Sequence, residues 1–135
     1  MDFRHLLAML WALKFNISDL HYLAQKENFY SDHKFADELR DDIDEWIDEI
    51  NEICFLGEEK NAPYSKDVIL DSSNFIIPLQ SNPTEQFKKI SESIKQILIY
   101  IQETSEQTSV GEQNLIGGIA QELQQRYGLI WRRIL

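Results

Sequence analysis

Four stretches of this chain repeat apolar residues every three or four positions, the spacing that lines one face of an α-helix. The first runs from about Asp2 to Ala24, with Leu6, Leu10, Leu13, Ile17 and Leu20 as its stripe. In the second, Phe35, Leu39, Ile43, Trp46, Ile50 and Ile53 fall within roughly 80° of one another at about 100° per residue. Ser31 is placed to cap its start, Asp32 lies in its first turn, and the helix is expected to stop near Gly57. Asn82-Pro83 reads as a cap followed by a first-turn proline, opening a third helix with Phe87, Ile90, Ile94, Ile97, Leu98 and Ile101. The polar stretch Thr104 to Ser109 breaks it. A fourth helix then runs from about Val110 to the end, on Leu115, Ile119, Leu123, Tyr127, Ile130 and Ile134. Gly117-Gly118 is expected to weaken it locally and to permit a close helix contact.

The link from Glu58 to Ser81 is long. Short links join antiparallel neighbours, so a long one implies a crossover along the bundle, with the second and third helices parallel. A link of this length without structure is unusual, and Lys66 to Phe75 is a candidate short helix within it. The expectation is one all-α domain over 1–135, a four-helix bundle.

Composition narrows the function. At 43% hydrophobic and 11% aromatic the chain is ordinary globular material. A formal net charge of −10 disfavours nucleic acid and anionic membrane, and suits a protein that gathers cations. No apolar run approaches the ~20 residues of a membrane span. The opening MDFRHLLAMLWALKF carries only Arg4 as a basic residue ahead of its apolar run and has no small-residue cleavage site, so it reads as a core helix, with a cytoplasmic location expected. The single cysteine, Cys54, sits near the core face and reads as a plain buried thiol. There is no Gly-rich phosphate loop, no His-Glu-x-x-His, no Cys/His zinc spacing and no Glu-x-x-His.

The candidate chemistry lies on the second helix. His33 and Asp37 are four apart, as are Asp48 and Glu52, so each pair shares one face. His21 lies twelve residues before His33. Imidazole with carboxylate suits iron and other first-row divalent metals. All four helix residues lie roughly opposite the apolar stripe, with Asp41, Asp44 and Glu45 beside them. Asp37 and Asp48 are about 16 Å apart along the axis at 1.5 Å per residue, so one ion cannot hold both pairs of one chain. An antiparallel mate across a two-fold axis brings its Asp48 and Glu52 to the first chain's His33 and Asp37, making two equivalent sites. Singly, each residue has a plainer reading. His33 and Asp37 form an ordinary surface pair, and His21 is a buried, hydrogen-bonded histidine. The run Asp41, Asp42, Asp44, Glu45 and Glu49 is either a solvated face or one that guides and nucleates iron. Trp46 reads as core. Trp11 and Phe15 fall off the first helix's stripe, as interface or as partly buried residues. His5 has no partner pattern. Arg132 and Arg133 sit at a helix C-terminus, where they complement the dipole.

Taken together, the five positions resemble the Dps family of ferritin-like mini-ferritins. That family carries a histidine near the end of the first helix, a second twelve residues on, then an aspartate, an aspartate and a glutamate four, fifteen and nineteen residues after it. Here these are His21, His33, Asp37, Asp48 and Glu52, without a gap. Asn28-Phe29 and Leu56-Gly57 match the family's flanking pairs, and the likeness is strongest from about Leu20 to Gly57. The chain departs from the pattern at Tyr22, where tryptophan is common, at Gln25-Lys26-Glu27, where Lys-Gly is usual, and at Glu58, in place of a second glycine.

The resemblance implies a ferritin-like bundle assembled as a homo-oligomer, most often a dodecameric shell. It implies a di-iron site between two subunits, with His21, His33 and Asp37 from one chain and Asp48 and Glu52 from its mate as both metal ligands and catalytic residues. Fe(II) is oxidised there with hydrogen peroxide or oxygen, and ferric mineral is stored inside. DNA-binding members commonly use a Lys/Arg-rich tail. With the first helix starting near Met1 and the last ending at Leu135, little DNA binding is expected. Two alternatives compete: a metal-binding ferritin-like bundle of different assembly without storage, and a non-enzymatic interaction protein.

Overall fold

The computed structural model describes residues 1–135. The chain is all-helical: α1 (Phe3–Leu23), α2 (Phe29–Ile50), α3 (Ser65–Ser72), α4 (Pro83–Thr104) and α5 (Val110–Ile134). Asp2 caps α1 by accepting from the amides of Arg4 (3.0 Å) and His5 (3.3 Å). Asn82 caps α4 at the amide of Glu85 (2.9 Å), with Pro83 following as expected. Ser109 and Glu112 close a reciprocal capping box on α5.

The second helix departs from its expected ends. It begins at Phe29, after a 3-10 turn at Lys26–Asn28. Ser31 is therefore inside the first turn rather than the cap, and its hydroxyl donates to the carbonyl of Asn28 (3.1 Å). At the other end regular α geometry stops at Ile50 and continues as a π-helical turn, Asn51–Phe55, then a 3-10 turn, Leu56–Glu58. The left-handed stop is Glu59, at φ 59°, and not Gly57. Gly57 answers to a close approach instead, since a Cβ there would lie 3.3 Å from the carbonyl oxygen of Glu52. Ile53, expected in the core, is 40% exposed, while Ala36, Ile47 and Cys54 are buried. Phe35 and Ile53 mark one edge of the true buried arc, which extends to the other side of Ile43.

The core joins Leu6, Leu10, Leu13, Ile17 and Leu20 of α1 to Leu39, Ile43 and Ile50 of α2, Phe87, Ile90 and Ile94 of α4, and Ile119, Leu123 and Ile130 of α5. Leu98, Leu115, Tyr127 and Ile134 pack at its margin. Helix directions follow from cross-helix contacts. Lys14 meets Asp44 and His21 meets Asp37, so α1 and α2 are antiparallel. Asp2 meets Tyr100, and Asn16 meets Gln86, so α1 and α4 are antiparallel as well. Hence α2 and α4 run the same way. The connection between them touches α1 progressively: Asp71 at Arg4, Phe75 at His5, Ile77 at Asn16. Its helix, α3, forms over Ser65–Ser72 and buries Val68 against the core.

Helix α5 runs antiparallel to α2, and basic residues tie the two together. Arg126 reaches Asp42 (2.9 Å) and Glu38 (3.6 Å). Arg133 grips Asp32 with two bonds of 3.0 Å, donates to Thr84, and lies over the Phe87 ring. Arg133 is thus a staple between three helices rather than a dipole complement alone. His5, without a partner pattern in sequence, wedges against Phe75 and Tyr100 at ring separations of 5.1 and 4.7 Å. Gly117 and Gly118 make no close contact within the chain: both are exposed, and a Cβ on either meets nothing within 4 Å. No helix is long and apolar enough to cross a membrane. Cys54 is 2% exposed, and burial, with Glu112 and Glu58 adding negative charge, pushes its thiol up to about 12.

Candidate metal centre

The short link between α1 and α2 folds the last turn of one helix against the first turns of the next. That places His21 of α1 beside His33 and Asp37 of α2. One donor atom from each of the three lies within 4.8 Å of the others. His21 Nδ1 is 2.9 Å from Asp37 Oδ1, and His33 Nε2 is 3.4 Å from Asp37 Oδ2. The two imidazoles lie with ring centroids 3.8 Å apart. Tyr22 stands edge-on to His21 and Phe29 flanks His33. The Nδ1 atom of His33 is buried without a hydrogen-bond partner.

Arg40, which the sequence reading did not single out, completes the cluster. Its Nη2 donates to Asp37 Oδ1 at 2.6 Å and lies 3.2 Å from His21 Nδ1. Its Nη1 reaches Ser18 Oγ at 3.5 Å. The signal was available, because Arg40 is three residues after Asp37 on the same helix face. This guanidinium bond is the main reason that the Asp37 carboxyl is held below its usual range, with His21 and His33 adding to the effect. Burial lowers the pKa of His21, and the positive charge of Arg40 lowers it further.

Asp48 and Glu52 stand apart from this cluster. Both are exposed, and neither side chain makes a hydrogen bond or ion pair within the chain. They lie on the outward face of α2 and its π turn, about 16 Å (Asp48) and about 22 Å (Glu52) along from Asp37. Asp41, Glu45 and Glu49 are likewise exposed and unpaired, whereas Asp42 and Asp44 are neutralised by Arg126 and Lys14. Trp46 is core; Trp11 and Phe15 are half-buried and pack against each other at 6.0 Å.

Two imidazoles and a carboxylate form a donor set that first-row divalent ions accept, with coordination positions left open. The set fits such an ion, because one donor atom from each of the three residues already converges. A lowered pKa also keeps the His21 lone pair free for ligation at mildly acid pH. In the metal-free chain the His21 ring should therefore titrate below the 6.5 of an unperturbed imidazole, as followed by NMR. The folded state then binds fewer protons than the unfolded state there, so this residue's contribution to stability falls as pH drops below 6.5. A midpoint above 6.5 would mean that the Asp37 carboxylate, and not burial with Arg40, governs the ring. Comparison of the chain with protein-family models and with curated proteins finds no match.

Proposed function

We propose that the chain is a Dps-like mini-ferritin that binds Fe(II) between two subunits, oxidises it with hydrogen peroxide or oxygen, and stores ferric mineral in a hollow cytoplasmic shell. One observation carries this reading. His21, His33 and Asp37 converge, while Asp48 and Glu52 are left unpartnered on the same outward face, too distant to join them within one chain. A two-fold mate set antiparallel along α2 completes both half-sites. The parallel run of α2 and α4, joined by a connection laid along α1, supports a ferritin-like bundle with a crossover link.

Fe(II) is the substrate in this reading. His21, His33 and Asp37 would hold it from one side, and Asp48 and Glu52 of the mate from the other. Carboxylate oxygen favours the higher charge of Fe(III), and neutral imidazoles keep the site from binding product too tightly. Two Fe(II) ions yield one electron each, and hydrogen peroxide takes both with two protons to give two waters.

The test is the Asp48→Asn/Glu52→Gln chain. It should lose Fe(II) oxidation, followed by ferric absorbance after peroxide addition, yet be as stable without metal as the parent or more so. Like charges at helical spacing repel by about a few tenths of a kcal/mol per pair, so their removal relieves the metal-free helix. A much lower unfolding temperature without metal would make these residues structural and overturn the assignment. Solution mass bears on the shell, since twelve copies of the 15.9 kDa chain weigh about 190 kDa.

A second reading has its own observation. Arg40 pairs with Asp37 as in a plain surface ion cluster, which suits an interaction protein without metal. That reading requires Co(II) and Fe(II) to leave the unfolding temperature unchanged, whereas a metal site raises it through preferential binding to the folded state.

A further inference from the structure

We propose that Arg40 is a tethered competitor for the metal position, a built-in cation that has to leave before His21 and Asp37 can ligate an ion together. The inference rests on the metal reading of the same three donors and assigns a role to a residue outside them. The guanidinium nitrogen sits 2.6 Å from Asp37 Oδ1 and 3.2 Å from His21 Nδ1. These are the two atoms whose lone pairs a metal would take, and zinc-like ions accept such donors at about 2.0–2.2 Å. The space between the two atoms holds one cation at a time.

The arm has somewhere to go. Arg40 is only partly buried, at 23% side-chain exposure, so its release does not open the core. Its Nη1 end already reaches Ser18 Oγ on α1. Asp44, four residues on and on the same face, is 52% exposed and offers a carboxylate to the departing guanidinium, shared with Lys14. Arg40 thus has two acidic partners one turn either side of it, Asp37 and Asp44. Exchange from the first to the second clears the donors and leaves Arg40 sharing the Asp44 carboxylate with Lys14.

Two consequences follow. In the metal-free chain the guanidinium occupies the Asp37 oxygen that also pairs with His21, so both donors are held at one point. On loading, every ion bound displaces an ion pair, which weakens affinity and favours exchange over permanent retention. A half-site that releases its cargo suits transfer onward to a mineral better than a tight structural site does.

The experiment is Co(II) titration of the full chain and its Arg40→Gln variant, read by visible ligand-field absorption rather than by oxidation. Glutamine keeps a hydrogen-bonding head but removes the charge. The variant should bind Co(II) about tenfold more tightly. A Co(II)-loaded crystal of the parent should show the guanidinium withdrawn from Asp37. Equal or weaker Co(II) binding by Arg40→Gln, with the parent binding well, overturns the competitor and leaves the metal site standing. An Arg40–Asp37 bond that persists in the loaded crystal does the same. Absence of Co(II) binding in both chains overturns the metal reading, and the competitor with it.

Discussion

Co-assembly of two inactive chains should restore about a quarter of the parental iron oxidation. One chain carries His33→Ala and Asp37→Ala, the other Asp48→Ala and Glu52→Ala. Neither can complete a site with a copy of itself. In a mixed dimer, intact His33 and Asp37 of the second chain face intact Asp48 and Glu52 of the first, and one of two sites is whole. Random pairing at equal amounts makes half of the dimers mixed, hence about one site in four. The geometry behind this is the convergence of His21, His33 and Asp37 at one end of α2 and the exposure of Asp48 and Glu52 at the other. Co-expression followed by the Fe(II) and peroxide assay reads the result. If both double mutants fold and their mixture remains inactive, the interchain site is wrong. Appreciable oxidation by either double mutant alone also defeats it.

Arg133→Ala should be the costliest exposed-end substitution, at about 2 kcal/mol of folding free energy. It strips the partner from Asp32, which is only 2% exposed, and leaves a carboxylate among Phe35, Phe87 and Ile130 with no cation. Fully buried broken pairs cost about 3–5 kcal/mol; Arg133 keeps 23% side-chain exposure, so water recovers part of that loss. Asp32→Asn/Arg133→Met removes both charges and should regain most of the stability. Urea unfolding of the metal-free chain at one fixed protein concentration measures both. A single-variant loss under about 0.5 kcal/mol would show that the pair is a surface bridge in energetic terms.

The elements that could be read along the chain were those with a strong local cause. Asn82-Pro83 and the Thr104 to Ser109 break sit where the structure has them, because a cap and a proline act within one turn. Periodicity located the core of α1 and α4 for the same reason. The start of α2 was obscure because Ser31 resembles a cap chemically, while the 3-10 turn at Lys26–Asn28 leads directly into the helix at Phe29. The π turn at Asn51–Phe55 has no local signature, and it lies where Ile53 was misassigned to the core. Gly117-Gly118 suggested a contact that only a facing helix could supply, and no helix of the same chain faces them. At the site, spacing picked out His33, Asp37 and Asp48 of α2 and Glu52 of the π turn, and the α1–α2 hairpin brings His21 to the first two of them. The Asp32–Arg133 pair was hidden because its two residues are remote in sequence, whereas the spacing of Arg40 from Asp37 was legible and only its approach to His21 depended on the fold.

The buried thiol of Cys54 has a practical side. Oxidants and alkylating reagents attack the thiolate, and a group pushed to about 12 holds almost none of it at neutral pH. A chain that works beside peroxide would thereby carry its only cysteine without that cysteine becoming a casualty of the reaction. The same inertness makes the natural sequence its own blank for labelling chemistry. A cysteine introduced at any exposed position can carry a spectroscopic reporter, and the buried native residue of the π turn will not compete for it.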